Sequence, residues 1–302
     1  MKNRLAFTML ELVFVIVIMA IIGKFGTEFL VHAYQTFLFS KANHQLQSQS
    51  EIAVELIASK LQYRIKDSVI ARQANGNFVA IGSSDINSSF TILEWVGSDS
   101  DGFRGLSKPY WQGIIDLDLS SATVLKAPET NTTQEDTLIS TLSYGDSTFN
   151  DAAIYFIGSN SDVTTDYGWD GTAATDQNTT TMHPVRRSTT AGQEDLLIPI
   201  NAVTGADNNF TGVNVYEYFK LSWTAYAIEH NTTTDKLILH YDYQPWQGES
   251  YTDGKSTTIM EHVSTFKFMS IGSIMKIQVC TKSDILQNNG EDYSLCKEKT
   301  IL

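Results

Sequence analysis

From Leu5 to Ile22 the chain runs 18 residues with only two polar positions, Thr8 and Glu11. That length is near the lower limit for a helix that crosses a bilayer. Lys2 and Arg4 precede the run, and basic residues on that side favour a cytoplasmic N-terminus with the remainder translocated. The stretch that follows, "GKFGTEFLVHAYQTFLFS", offers no A-x-A pattern, so a secretory signal cut behind the apolar run is disfavoured. A carboxylate in hydrocarbon is expensive and usually functional. Any fold for this chain has to explain Glu11.

The apolar pattern continues beyond Ile22. Phe25, Phe29, Leu30, Ala33, Tyr34, Phe37 and Leu38 recur at steps of three and four, and after "KANHQLQSQS" the period resumes with Ile52, Ala53, Leu56, Ile57, Leu61, Ile65 and Val69. This spacing predicts one helix over 7–71, roughly 95 Å long, stopped at "ANGN" (74–77). Its first part, about 7–24, is apolar around most of its circumference and suits a membrane or a bundle of like helices; its second half should lay one face on a sheet. Gly23 and Gly26 weaken it locally, by about 1 kcal/mol each relative to alanine. They mark either a bend or a close helix contact.

After residue 77 the period changes to alternation. "NFVAIG", "FTILEWV", "IIDLDL", "AAIYFIG" and "LLIPI" read as short strands, "VNVYEYFKLSWTAYAIEH" (213–230) and "DKLILHYDY" (235–243) as a hairpin across "NTTT", and 262–282 as two strands around Gly272. The expected fold class is α+β: a long N-terminal helix packed on an antiparallel β-rich domain over 77–302. Residues 129–195, rich in Thr, Asn, Asp, Ser and Gly, read as long exposed loops.

A net charge of −13 argues against a chain built to grip nucleic acid. The six histidines are scattered, and HExxH, G-x-S-x-G, a Walker loop and GxGxxG are all absent, so no catalytic residue is assigned and an enzyme is not expected. "HPVRR" (183–187) reads as a small basic spot in an acidic loop region, solvated or a local salt-bridge partner more than a phosphate site. The tryptophans at 95, 111, 169, 223 and 246 are expected in the core more than on a ligand surface. "GSDSDGFRG" (97–105) offers Asp99 and Asp101 beside Gly102, which suits either an acidic turn or part of a calcium loop, although the full EF-hand spacing is missing. No other cofactor is expected.

The start of the chain, "A-FTMLELVFVIVIMAIIG", resembles the class III signal of type IV prepilins and type II secretion pseudopilins, in which a short basic leader and a small residue precede Phe-Thr-x-x-Glu and an apolar helix. The resemblance covers about the first 25 residues. It implies that residues 1–6 are a leader removed by a prepilin peptidase between Ala6 and Phe7, where the family usually has glycine before the cut. It implies further that Phe7 is N-methylated and that Glu11, then the fifth residue, meets the N-terminal ammonium of a neighbouring subunit during assembly. More weakly, the last third, with "IMEHVSTFKF" and "IMKIQV", is similar to the larger minor pilins and pseudopilins of PilW-like and GspJ-like type. The implied protein is a minor filament subunit, inserted in the bacterial inner membrane with its β-domain in the periplasm and placed near the filament tip. Its partners would be other minor and major pilins, the peptidase, the inner-membrane assembly platform and membrane lipid. The alternative is a tip adhesin or substrate-binding module that uses the β-domain surface.

A translocated domain changes how the remaining residues read. Cys280 and Cys296 would form a disulfide in an oxidising periplasm, closing a C-terminal loop of a kind many pilins carry. The chain holds five N-x-S/T acceptors, at Asn87, Asn131, Asn178, Asn209 and Asn231, and each has Asp or Glu two residues before the asparagine. That extended pattern is the acceptor of bacterial oligosaccharyltransferases, so the five asparagines are glycosylation candidates.

Overall fold

A computed structural model of the chain describes residues 8–288 and 291–302. The Ala6–Phe7 junction lies outside the described residues. Helix α1 runs from Met9 to Gln62 without interruption at Gly23 or Gly26. Thr8 caps it: its side chain accepts from the Glu11 backbone, and the Glu11 carboxylate reaches back to the Thr8 N–H.

The helix is shorter than its periodicity suggests, ending at Gln62 instead of Ala71. Ile65 and Val69 still reach the core, but they do so from a turn. The Ile65 N–H donates to Val96 O at 2.9 Å, and the Ser68 hydroxyl accepts from the Val96 N–H at 2.9 Å while donating to Ile65 O. Bonds to a strand thus replace the next helical turn. Arg64 seals the end by donating to Leu61 O and to Ser273 O, both at 2.8 Å. A cation there also suits the negative end of the helix dipole.

The next strands are β1 (Ile70–Gln73), β2 (Phe78–Ala80) and β3 (Phe90–Gly97). A short helix, α2 (Ser100–Arg104), leads to β4 (Asp116–Ser121) and β5 (Val124–Lys126), followed by α3 (Thr132–Leu142) and β6 (Ala153–Phe156). Then come β7 (His183–Arg187), β8 (Leu196–Pro199), β9 (Phe219–Ser222), β10 (Thr224–Asn231), β11 (Lys236–Tyr241) and β12 (Lys255–Met260). The C-terminal part holds β13 (Val263–Ile271), β14 (Ile274–Asn288) and β15 (Glu291–Ile301). Three antiparallel sheets form among the described residues, in the orders β12-β11-β10-β3-β1-β2, β13-β14-β15 and β4-β5-β8-β7-β6-β9. The α+β class expected from the sequence is the observed one.

Strand β3 is central because both of its faces are covered. Leu93 and Trp95 enter the core shared with α1 and the three-stranded sheet. Ile92 and Val96 enter a second core with Tyr155, Tyr167, Trp169, Tyr243 and Trp246. Alternation along the strand supplies both sets. The stretch predicted as a single strand over 213–230 divides at Trp223 between two sheets: β9 pairs with β6, and β10 pairs with β3 and β11. Gln244 Nε2 holds the crossing by donating to Trp223 O at 2.8 Å.

The segment 129–195 is more ordered than its composition suggests. It contains α3, β6 and β7, and Tyr167, Trp169 and Met182 are buried in it. A few anchors suffice: the Trp169 indole donates to Ser68 O at 3.1 Å, and Arg72 donates to Trp169 O at 2.8 Å. Arg72 also pairs with the fully buried Glu94, which accepts from the Tyr243 hydroxyl at 3.2 Å. "HPVRR" is strand β7 and not a loop, and of the two expected roles its arginines take that of local salt-bridge partners. Burial holds the His183 imidazole down to about 3, and Arg186 and Arg187 pair with Asp207 and Asp136.

Candidate functional site

The helix α1 has two unlike halves. From Met9 to Phe37 its apolar side chains are exposed: Phe29 is 72% exposed and Val17 50%. One 18-residue window there has a mean hydropathy of 2.3 with none of it buried, which is long and apolar enough to cross a membrane. From Ala42 onward a stripe is buried, comprising Ala42, Leu46, Ser50, Ala53, Val54, Ile57, Ala58 and Leu61. These steps of three, four and one trace a single helical face. Ile52, read from the sequence as part of that face, turns outward.

The covered half is held by the β14–β15 hairpin. Cys280 and Cys296 are direct partners in its register and form a disulfide. Lys297 pairs with Glu51 at 2.8 Å, and Lys299 pairs with Glu55. The match is geometric. Four helical residues advance about 6 Å and two strand residues about 6.6 Å, so one strand face keeps step with one helix face. Farther out, the Tyr293 ring meets Phe39 at 5.2 Å, edge to face. These clamp residues give no signal in the sequence beyond the paired spacings, i and i+4 for the acids and i and i+2 for the lysines.

Glu11 lies at the exposed start of the apolar half. Its carboxylate is 3.4 Å from both the Thr8 N–H and the Thr8 hydroxyl. Those are long bonds compared with the 2.7–2.9 Å of charge-assisted ones. The local cap therefore leaves most of the binding capacity of this carboxylate unused.

Asp99 and Asp101 differ in burial. Asp99 is buried; its Oδ1 accepts from the Gly102 N–H at 3.1 Å and its Oδ2 from the Trp111 indole at 2.8 Å. Asp101 is exposed. The neighbour of Asp99 is Glu135, a residue the sequence did not single out. Glu135 Oε2 and Asp99 Oδ2 lie 2.0 and 2.1 Å from the point a Cβ on Gly102 would occupy, so only glycine admits both. Burial first, and then the Asp99 charge, push the Glu135 carboxyl up to about 10. A proton between two carboxylates supplies the hydrogen bond that two anions cannot make. Among the described residues no group of three or more His, Cys, Asp or Glu could hold a metal ion.

All five tryptophans are buried. A surface concavity lies elsewhere, in an open groove of about 760 Å³ between the 86–91 segment and β13, lined by Ile86, Phe90, His230, Phe266, Phe268 and Met269. The five candidate acceptor asparagines are on the surface: Asn87, Asn178 and Asn209 are exposed, and Asn131 and Asn231 half-buried.

Comparison of the chain with protein-family models, with curated proteins and with solved structures returned no match.

Proposed function

We propose that the chain is a membrane-inserted subunit of a pilin-like filament, a minor pilin or pseudopilin, in which the uncovered half of α1 packs first in the inner-membrane bilayer and then among the helices of neighbouring subunits. The observation that carries this reading is the placement of the apolar surface. The domain buries its tryptophans, yet the helix from Met9 to Phe37 keeps its large apolar side chains exposed. At about 25 cal/mol per Å² such a surface does not remain in water. A lipid anchor alone would account for the bare helix but not for Glu11. With cleavage before Phe7, a carboxylate at Glu11 finds a new ammonium on a neighbouring subunit, and the need for that partner sets the axial register of an incoming subunit.

Mass spectrometry of the protein purified from membranes tests the reading. The expected chain starts at Phe7 with an added N-methyl group; a chain that keeps Met1 or an intact Ala6–Phe7 bond sinks it. Glu11→Val should still insert in the membrane but fail to enter filaments. Wild-type incorporation of that variant would remove Glu11 from the assembly role.

A further inference from the structure

We propose that Asn87 is the principal acceptor of an N-linked oligosaccharide, transferred from a polyprenyl-pyrophosphate carrier on the extracytoplasmic side of the membrane. The inference rests on the topology argued above, a translocated β-domain, and not on filament assembly. All five N-x-S/T sites carry an acid two residues before the asparagine, although acids are 34 of 302 residues. Independent placement would give five in five with a chance of about one in 10⁵, and N-x-S/T acceptors work only on reachable surface.

The structure separates the five. A transferase acting on folded protein must reach the amide, the hydroxyl two residues on and the acid two residues before. At Asn87 all three are exposed, in the segment between β2 and β3: Asp85 takes part in no ion pair among the described residues and accepts from the Ser83 hydroxyl at 3.3 Å, Asn87 Nδ2 donates to Asp85 O at 3.1 Å, and the Ser89 hydroxyl accepts from Gln73 Nε2 at 2.6 Å. The Ser89 hydroxyl already donates to Asn87 Oδ1 at 2.7 Å, so amide and hydroxyl are held together before any enzyme arrives. At the other sites either the acid is held in an ion pair or one element is half-buried. Asp207, ahead of Asn209, takes a two-pronged bond from Arg186 at 2.7 and 3.0 Å. The Thr180 hydroxyl, which follows Asn178, donates to Asp166 O and Met182 O. Glu229, ahead of Asn231, is bonded by His240 Nε2 at 2.9 Å. Asn131 caps α3, its Oδ1 accepting from the Gln134 N–H at 3.0 Å. Asn209, whose committed acid sits in an exposed pair, follows Asn87 in rank.

The transfer forms a bond from Asn87 Nδ2 to C1 of the first sugar and breaks the C1–O bond to pyrophosphate. The polyprenyl pyrophosphate leaves with the electron pair, and the amide nitrogen gives up one proton. Asn87 lines the groove beside β13, together with Thr232 of the Asn231 site. A glycan there would stand over the groove mouth.

The test is expression of the full chain in bacteria that carry an acid-requiring N-oligosaccharyltransferase and its polyprenyl-pyrophosphate oligosaccharide, next to a strain with an inactivated transferase. Glycopeptides are mapped by mass spectrometry, and the redox state of Cys280 and Cys296 is read from the same sample. The expected result is occupancy highest at Asn87 and lowest at Asn131, with Asp85→Asn removing the glycan from Asn87 and leaving Asn209 occupied. An unmodified Asn87 overturns the proposal in either redox state; oxidised cysteines would place the failure in acceptor recognition, reduced ones in the topology. Equal occupancy of Asn87 and Asn131 would overturn the ordering by folded-state access.

Discussion

The two halves of α1 have similar helix-forming residues and opposite fates. In the half before Phe39 the side chains of Val17, Phe25 and Phe29 are exposed; in the half after Ala42 those of Ile57 and Leu61 are buried against two sheets. The difference is not helix propensity. It lies in the pattern: an all-round apolar surface has no single face to offer a domain, whereas a stripe does. One end of the helix is thus built for the domain's own sheets and the other for a surface that the chain does not supply. The transition falls where polar "KANHQLQSQS" interrupts the apolar residues.

Truncation is the sharpest way to break this comparison. Leu61→Ala or Ile57→Ala should lower the unfolding free energy by about 2–5 kcal/mol, because each empties a packed site. Phe29→Ala or Val17→Ala should change it by about 0.5 kcal/mol or less. Guanidinium unfolding of the detergent-solubilised full chain, followed by tryptophan fluorescence, reads both. Equal losses in the two halves would mean that the bare half also packs on the domain. A slightly smaller effect is expected from Cys280→Ser combined with Cys296→Ser. The two cysteines are 16 residues apart, and opening such a loop should remove about 3 kcal/mol in the chain-entropy picture. The loss should be seen in the domain and not in membrane insertion.

Much of this contrast could be read before any coordinates. The apolar run, the period of the stripe and the alternation on either side of Gly272 are local patterns, and local patterns survive in sequence. The end of α1 was not legible, because Ile65 and Val69 keep the helical spacing while hydrogen bonding to β3 takes their backbone elsewhere. The division at Trp223 was hidden for a similar reason: alternation continues through it, and the change of sheet is decided by which strands lie alongside. Residues 129–195 were misjudged by composition, since a few buried rings such as Tyr167 and Trp169 order a long polar stretch. The Arg72–Glu94 pair and the Asp99–Glu135 pair join residues far apart in sequence, and nothing local announces either one.

The Glu135 carboxyl gives the domain a pH signature that the bare half of α1 does not share. Its folded-state value is raised from 4.5 to about 10, by burial and then by Asp99 and Asp101. The folded state therefore keeps a proton that the unfolded state releases above 4.5. The contribution is complete below that value and is lost as pH rises toward 10, with a slope of at most about 1.4 kcal/mol per pH unit from this one group. Between pH 7 and 8.5 the domain should lose up to about 2 kcal/mol. Glu135→Gln keeps a neutral donor beside Asp99 and should flatten that slope, as read from thermal unfolding across the interval. A Glu135→Gln slope as steep as that of the parent protein would place the proton elsewhere.

The smallest effect belongs to the ion pairs that join the covered half of α1 to β15. In the Lys297–Glu51 pair the side chains are 38% and 60% exposed, and in the Lys299–Glu55 pair 38% and 55%. Water screens such pairs, and exposed pairs of this kind add little to stability. Their arrangement still argues for a role in alignment, because a slip of one residue along β15 turns both lysines to the other face of the strand. A double-mutant cycle with Glu51→Ala and Lys297→Ala separates the pair from the packing of the two side chains. The expected coupling is small at low salt and is largely lost in 1 M salt, where the screening length falls to about 3 Å. A coupling of several kcal/mol that resists salt would make the clamp a main source of cohesion between helix and sheet, in place of the buried stripe from Ala42 to Leu61.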